Sequence, residues 1–248
     1  MNTTQTITNR FSKRTGQIAI LIDPEKSKNK VQLKELIKKA QFAKVDYLFV
    51  GGSTVSREDF VSVVSFLKEN SSIPVVIFPG ASHQISKDAD ALLYLSLISG
   101  RNPDYLIGHH VQSANEVYAM DIEVIPTAYI LIDGGTKSSV AYVSQTTPIP
   151  NDKISIITNT AKAGILQGKK LLYLDAGSGA QQSVLPETVR ELKQLNSPII
   201  IGGGIRTKEQ ISELSVAGAN VIVIGNKIEE DIDFLLDIQS FIKESHLN

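Results

Sequence analysis

The chain has 248 residues, 42% of them apolar, a formal net charge of −1 and no cysteine. That is enough length for one full core or for two small ones, and the even charge leaves no electrostatic footprint for nucleic acid or an anionic membrane surface. Without cysteine, disulfides and thiolate metal sites are excluded, so any metal is held by oxygen or imidazole, which favours Mg²⁺-type chemistry.

Residues 1–14 are polar and Thr-rich with no apolar core segment, so no secretory signal is expected. The longest apolar runs are strand-sized, far from the ~20 residues of a membrane span. The expectation is a cytoplasmic protein with no stable membrane insertion. Short β-branched runs then recur along the chain. Ile18–Ile22, Tyr47–Val50, Val75–Phe78, Ala91–Leu95, Ala128–Ile132, Leu171–Leu174, Ile199–Ile201 and Val221–Ile224 read as strands. They are apolar at consecutive positions, as parallel strands covered by helices should be.

Helical patterns separate them. Leu33, Leu36, Ile37 and Ala40 form one apolar stripe, and a second helix runs from Ser56 to Leu67. Pro186 suits the first turn of a later helix, and Thr207 with Gln210 reads as a capping box. Ile232, Leu235, Leu236 and Phe241 supply the buried face of the last helix. Two connections break the rhythm. Ser82 to Asp90 is too short for a crossover helix, so a loop or short turn is predicted, leaving a gap in the helical ring. Asp133 to Pro150 is long and rich in Gly, Ser and Thr, a candidate lid before a helix from about Asp152. Eight alternating units make the predicted fold α/β: a single (β/α)8 TIM barrel over residues 1–248, with an atypical short third βα unit.

Such a barrel keeps its chemistry at the carboxyl ends of the strands. The seventh strand runs into Gly202-Gly-Gly-Ile-Arg206 and the eighth into Gly225-Asn226. Glycines admit close approach of backbone to an anion, and a helix start points N–H groups at it. A phosphate-binding site at these C-terminal loops is therefore predicted. Strand one ends in Asp23, placed to bind Mg²⁺ or hold a hydroxyl, or simply to cap the next turn. Strand two ends in Gly51-Gly-Ser-Thr54, where Ser53 could ligate Mg²⁺ or start a helix. Strand six continues into Tyr173-Leu-Asp-Ala-Gly-Ser-Gly-Ala180. Alternation puts Tyr173 and Asp175 on one face, and Gly177, Ser178 and Gly179 can offer N–H groups. An acid beside a phosphate cradle is a natural general base. Of the remaining polar residues, His109-His110 reads as a helix-surface pair, since adjacent residues on a helix diverge. Asp133 reads as functional or as a turn former. Lys26 and Arg206 are plausible phosphate partners or solvated ions, and Tyr142 belongs to core, lid or interface.

Leu21-Ile-Asp-Pro-Glu-Lys26, Phe49-Val-Gly-Gly-Ser53, Val76-Ile-Phe-Pro-Gly80, Tyr173–Ala180, Gly202–Arg206 and Ile224-Gly-Asn226, taken in order, resemble the geranylgeranylglyceryl phosphate synthase family along nearly the whole chain. That family also includes bacterial heptaprenylglyceryl phosphate synthases. The Ala-Gly-Ser-Gly segment, the Val143–Pro150 stretch and Leu21, where the heptaprenyl branch tends to carry lysine, resemble the geranylgeranyl branch. The resemblance implies transfer of a geranylgeranyl group from geranylgeranyl diphosphate to the 3-hydroxyl of sn-glycerol 1-phosphate. It implies Mg²⁺ at Asp23 and Ser53. Glycerol phosphate would lie against Tyr173, Leu174, Asp175, Ala176, Gly177, Ser178, Gly179, Gly203, Gly204, Gly225 and Asn226, with Asp175 and Tyr173 catalytic. It also implies a homo-oligomer, a dimer or a hexamer, in which Tyr142 could anchor an interface. One position departs: the family usually carries glutamate where this chain has Asp175. Two other readings share the cradle. One is a phosphosugar isomerase using Asp23 with Asp133, and the other is a phosphometabolite-binding barrel without catalysis.

Overall fold

Eight parallel strands close into a barrel in chain order, β1 to β8, in the computed structural model, which describes residues 6–245. They are β1 (Gln17–Ile22), β2 (Tyr47–Val50), β3 (Val75–Ile77), β4 (Ala91–Leu97), β5 (Glu123–Leu131), β6 (Leu171–Asp175), β7 (Ile199–Gly202) and β8 (Val221–Ile224). The last closes on the first through Ile18↔Ile222 and Ile20↔Ile224. All eight predicted strands are present, and β4 and β5 are longer than predicted. Residues 1–5 of the N-terminal reading lie outside the described residues.

The period of two sorts side chains into two layers. Tyr47, Phe49, Leu93, Tyr173, Ile200 and Val223 fill the barrel interior. Their neighbours Leu48, Val50, Leu92, Leu174, Ile201 and Ile222 point outward into the layer shared with the helices. A short helix that the sequence pattern does not announce, α1 (Ile7–Lys13), closes the lower mouth. Its Phe11 is fully buried, edge-on to Tyr47 at 4.9 Å between ring centroids. The Glu123 carboxylate accepts from the N–H groups of Ile7 and Thr8, satisfying first-turn donors that have no partner within the helix. One apolar pair, Ile7 and Phe11, is too little periodicity to predict a helix.

The ring of helices comprises α2 (Lys30–Ala43), α3 (Arg57–Asn70), α4 (His109–Tyr118), α5 (Ser139–Ser144), α6 (Ile154–Leu166), α7 (Pro186–Lys193) and α8 (Lys208–Ala217), followed by α9 (Asn226–Glu230), α10 (Phe234–Asp237) and α11 (Gln239–Ser245). The capping box at Thr207 and Gln210 forms, and Pro186 opens α7. The predicted last helix is instead broken into α10 and α11. That break shifts the buried register to Leu235, Ile238 and Ile242 and leaves Leu236 exposed. Helix α5 stands inside the long fifth connection, where the sequence predicts only a loop. The connection adds a parallel bridge, Ile132↔Ile149.

The short third unit opens the wall. Strand β3 pairs with β4 only through Val76↔Ala91 and Ile77↔Leu92, while β4 runs on beside β5 as far as Leu97↔Tyr129. Above Leu92, therefore, β4 has no strand on its β3 side. No helix lies between β3 and β4. Fully buried Gln84 ties the loops instead: its amide oxygen accepts from Gly80 N–H at 2.9 Å, and its nitrogen donates to the Gly52 carbonyl at 2.8 Å. Those loops touch backbone to backbone, since a Cβ on Gly80 would lie 2.3 Å from the Gly52 oxygen.

Candidate active site

The carboxyl ends of the strands surround a cavity of about 340 Å³. Its lining includes Asp23, Ser53, Tyr173, Asp175, Gly203, Gly204, Gly225 and Asn226, residues predicted for the site from several strands. Three groups of walls can be distinguished.

The first is the cradle. Gly203 and Gly204 have φ of +82° and +70°, the left-handed region that favours glycine. A Cβ at Gly203 would lie 2.7 Å from the Gly177 nitrogen, and one at Gly204 would lie 2.6 Å from the Gln182 backbone, so the loops after β6 and β7 interlock as bare main chain. The Asn226 side chain carries the loop after β8 into the same assembly. Its oxygen accepts from Gly179 N–H at 2.8 Å and from the Ser178 hydroxyl at 3.2 Å. Lys26 is held by Glu229 at 2.7 Å and Arg206 by Glu230 at 3.4 Å; both basic residues line the cavity. Of the predicted cradle residues, Leu174 points into the outer layer. Leu174, Ala176 and Gly179 are not among the cavity-lining residues, and the Ala176 N–H donates to the Gly202 carbonyl at 2.9 Å.

The second wall is an aromatic floor under an acid. Tyr173 stacks on Phe78 at 4.7 Å and 6° between planes, and Tyr129 stands edge-on to both. Asp175, one turn of the pleat above Tyr173, accepts from the Tyr129 hydroxyl at 2.6 Å and from Gly177 N–H at 2.8 Å. Burial pushes the Asp175 carboxyl above the usual carboxylate range, and the two hydrogen bonds pull it partly back. Burial also raises both tyrosine hydroxyls well above their ordinary value, so they remain protonated donors. Sequence reading missed Tyr129. Its one trace was a tyrosine on the alternating face of a mostly aliphatic strand. Its meaning rests on the register that sets Tyr129 opposite Tyr173 and Leu131 opposite Asp175.

Across the cavity lie Asp23 and Ser53. Asp23 does cap its turn, accepting from Glu25 N–H at 3.0 Å, and it lines the cavity as well. Burial raises its carboxyl above the ordinary value, and the Glu25 N–H and Lys26 offset only part of that. Asp133, by contrast, is exposed and outside the cavity lining. Its carboxylate accepts from Gly135 N–H at 2.9 Å, so it is a turn former, and the Asp23–Asp133 pair of an isomerase reading does not assemble.

The third wall lies beyond the open edge of β4. Here the cavity passes from the interior to the outer face of β4, where it meets Ile85, Tyr94, Tyr105, His109, His110 and Ser113. The predicted surface pair His109-His110 is corrected: both rings turn inward. A π-helical turn, Asp104–Gly108, immediately precedes α4. Such a turn inserts an extra residue and rotates the helix beyond it, a feature common at functional sites. His110 packs on Tyr94 at 4.3 Å and bonds the Leu95 carbonyl at 2.7 Å. From the fifth connection, Ser139, Val140 and Val143 close over the cavity, while Tyr142 is 86% exposed.

A parallel barrel with a main-chain cradle at its seventh and eighth strands, a buried acid on the sixth and a mostly apolar side arm is the architecture of an enzyme acting on a phosphorylated substrate. A profile of the PcrB family matches residues 11–243, and the chain belongs to that family. It is 46% identical over 230 residues to a geranylgeranylglyceryl phosphate synthase of Chitinophaga pinensis, covering 92% of this chain and 91% of that one. A second relative of the same name, from Zunongwangia profunda, is 46% identical over 215 residues, covering 86% and 90%. The crystal structure of (S)-3-O-geranylgeranylglyceryl phosphate synthase from Thermoplasma acidophilum, in complex with its substrate sn-glycerol-1-phosphate, superposes with a TM-score of 0.89 at 33% identity, covering 97% and 98% of the two chains.

Proposed function

We propose that the chain transfers a geranylgeranyl group from geranylgeranyl diphosphate to the 3-hydroxyl of sn-glycerol 1-phosphate, releasing diphosphate and forming an ether lipid precursor. The activity is prenyl transfer of the geranylgeranylglyceryl phosphate synthase kind. The observation that carries the residue assignment is the position of Asp175: buried, hydrogen-bonded, at the end of the strand that leads into the main-chain cradle, and lining one cavity with Asp23 and Ser53.

In this reading the cradle of Gly177, Ser178, Gly203, Gly204, Gly225 and Asn226 holds the phosphate of glycerol phosphate, whose glycerol extends toward Asp175. Lys26 and Arg206, each paired with a glutamate, offer N–H donors at the rim. Asp175 takes the 3-hydroxyl proton as the new ether C–O bond forms and the allylic C–O bond to diphosphate breaks. Burial serves this step, because a carboxylate with a raised proton affinity is the better base. Aspartate is one methylene shorter than the family's glutamate, and the Tyr129 hydroxyl fixes its orientation. Fixing the acceptor in line with the allylic carbon supplies the proximity that the reaction needs. The prenyl tail runs over Phe78 and out through the open wall into the arm under α4, where the apolar surface is.

Among the described residues no three His, Cys, Asp or Glu side chains are grouped to cage a metal. One carboxylate, Asp23, and one hydroxyl, Ser53, suit Mg²⁺ instead, since that ion keeps several waters and takes remaining ligands from substrate phosphates. When bound, Mg²⁺ supplies positive charge to the leaving diphosphate. Assembly as a dimer or hexamer belongs to the same reading, supported by exposed Tyr142 and by exposed Ile107, Val111 and Tyr118 near and on α4. A cytoplasmic location is the matching proposal; among the described residues no helix is long and apolar enough to cross a membrane.

Mg²⁺-dependent transfer of labelled geranylgeranyl groups to glycerol 1-phosphate tests the function. Asp23→Asn should raise the Mg²⁺ concentration needed for half-maximal rate. Phosphate-ligand binding with no turnover under saturating donor and Mg²⁺ would overturn the reading.

A further inference from the structure

The near-zero net charge hides a local excess. Residues 26–44 hold seven lysines and a single acid, Glu35, in a chain of net charge −1. Helix α2 lies inside that stretch and departs from ordinary helix electrostatics. Lys30 stands at its first position, where the helix dipole is positive, and no acid occupies its first turn. Lys30, Lys34 and Lys38 follow at four-residue spacing, which sets like charges beside one another. Lys39 is held by Glu35 at 3.0 Å and by Asp233 at 2.6 Å. Among the described residues no ion pair joins Lys30, Lys34, Lys38 or Lys44 to an acid. The Lys30 and Lys34 ammonium groups lie instead 5.5 and 5.9 Å from the centre of one ring, Phe66 on α3. A face that is merely solvated mixes its signs, as α7 does with Glu187, Arg190, Glu191 and Lys193. Apolar side chains share the basic face. Val31 is 78% and Phe42 65% exposed, although Leu33, Ile37, Ala40 and Ala43 already give α2 a complete buried side. Eleven residues span about three helical turns, so Val31 and Phe42 lie on one line with Lys38 between them.

We infer that the outer face of α2 docks on the surface of an anionic lipid bilayer. A row of lysines without acid partners, carrying two protruding apolar side chains, matches that surface. Phosphate headgroups meet the ammonium groups, and Val31 and Phe42 enter the boundary between headgroups and acyl chains. A nucleic acid backbone would answer the lysines and leave Val31 and Phe42 in water. The attachment is peripheral and reversible, since two side chains and a few charges fall short of stable insertion. Helix α2 starts four residues beyond Lys26, which lines the cavity, so docking brings the cavity rim to the membrane surface. The inference stands apart from the proposed activity, because binding is read without substrate.

The test is sedimentation of the full chain with vesicles of phosphatidylcholine alone, or with about one-third phosphatidylglycerol added. Binding should appear only on the anionic vesicles. It should be lost at about 0.5 M salt, where screening shortens the reach of each charge to a few Å. Lys30→Gln, Lys34→Gln and Lys38→Gln together should lower the partition about a hundredfold, at about fivefold per lysine. Val31→Ser with Phe42→Ser should lower it about tenfold at the same salt. Lys162→Gln, Lys170→Gln and Lys208→Gln remove the same charge from other exposed positions and should change it by about twofold or less. Absence of wild-type binding to anionic vesicles overturns the inference, even if the chain is retained on a polyanion resin. Equal binding to neutral vesicles overturns it, as does an unchanged partition in the α2 lysine or serine variant. So does a loss in the Lys162, Lys170 and Lys208 variant as large as in the α2 one. Should an α2 variant fail to fold, the salt and lipid dependence of the wild type still decides.

Discussion

At one end of the cavity the chain grips with its backbone; at the other it makes room by leaving things out. The cradle after β6, β7 and β8 is interlocked main chain, with left-handed Gly203 and Gly204 seated against neighbouring backbone and Asn226 bonding across to Gly179. The arm exists because β3 stops at Ile77, no helix follows it, and a π-helical turn rotates α4. At Gly203 and Gly204 the cradle leaves no room for an added Cβ. The arm is a space between elements, lined by side chains, and can be reshaped one residue at a time. Changes at the first end should therefore cost rate or acceptor affinity, and changes at the second should redirect donor preference.

Asp175→Asn should have the largest effect, lowering kcat by about 10²- to 10⁴-fold, the usual worth of a general base, with little change in glycerol phosphate binding. Equal losses in turnover and affinity would make Asp175 a binding residue. Gly204→Ala should come next. The left-handed backbone there costs a side chain about 1–2 kcal/mol, and its Cβ would strike the Gln182 backbone. The expected result is a rise in the glycerol phosphate KM of about tenfold, with the KM for prenyl diphosphate unmoved. A matching rise for both substrates would mean that cradle and arm are mechanically coupled.

Tyr129→Phe should act through Asp175. The lost hydrogen bond is one of those holding the acid down, so the Asp175 carboxyl should rise further. A base works only when ionised, and activity is lost as pH falls through its pKa. The acidic limb of the pH–rate profile should therefore move to higher pH in the variant, with a fall in rate of about tenfold or less at its optimum. An unmoved limb would leave Tyr129 a packing residue. Gln84→Ala should have the smallest effect on chemistry. It strands Gly80 N–H and the Gly52 carbonyl, and should cost about 1–3 kcal/mol in denaturant unfolding while the folded enzyme keeps its turnover.

Legibility in the sequence followed the same division. Strand-to-glycine junctions announced the cradle because only glycine suits backbone that must lie against backbone, and that requirement is written in residue type. Asp23, Ser53, Tyr173 and Asp175 could be read as site residues because alternation and strand ends decide where a side chain points. Tyr129, Gln84 and His109 could not. Each matters through a partner distant in sequence: Tyr129 through Asp175, Gln84 through Gly52, and His109 through the outer face of β4. The inward turn of His109 also depends on a single extra residue in a helix, which apolar periodicity does not register. Asp133 and Leu236 erred in the opposite direction, because local pattern cannot see that a turn consumes a carboxylate or that a helix breaks.

By itself, then, the sequence determined a (β/α)8 barrel with a short third unit and an anion cradle after its last strands, and through its motifs it resembled a family of prenyl transferases. These arise from local chemistry: period-two burial, helix caps and the conformational freedom of glycine. Only the tertiary structure decided how Asp175 is oriented, how the wall opens between β3 and β4, and which rings line the arm beyond. Those depend on strand register and on how far each strand outruns its neighbour, and such relations arise only when segments far apart in the chain are brought side by side.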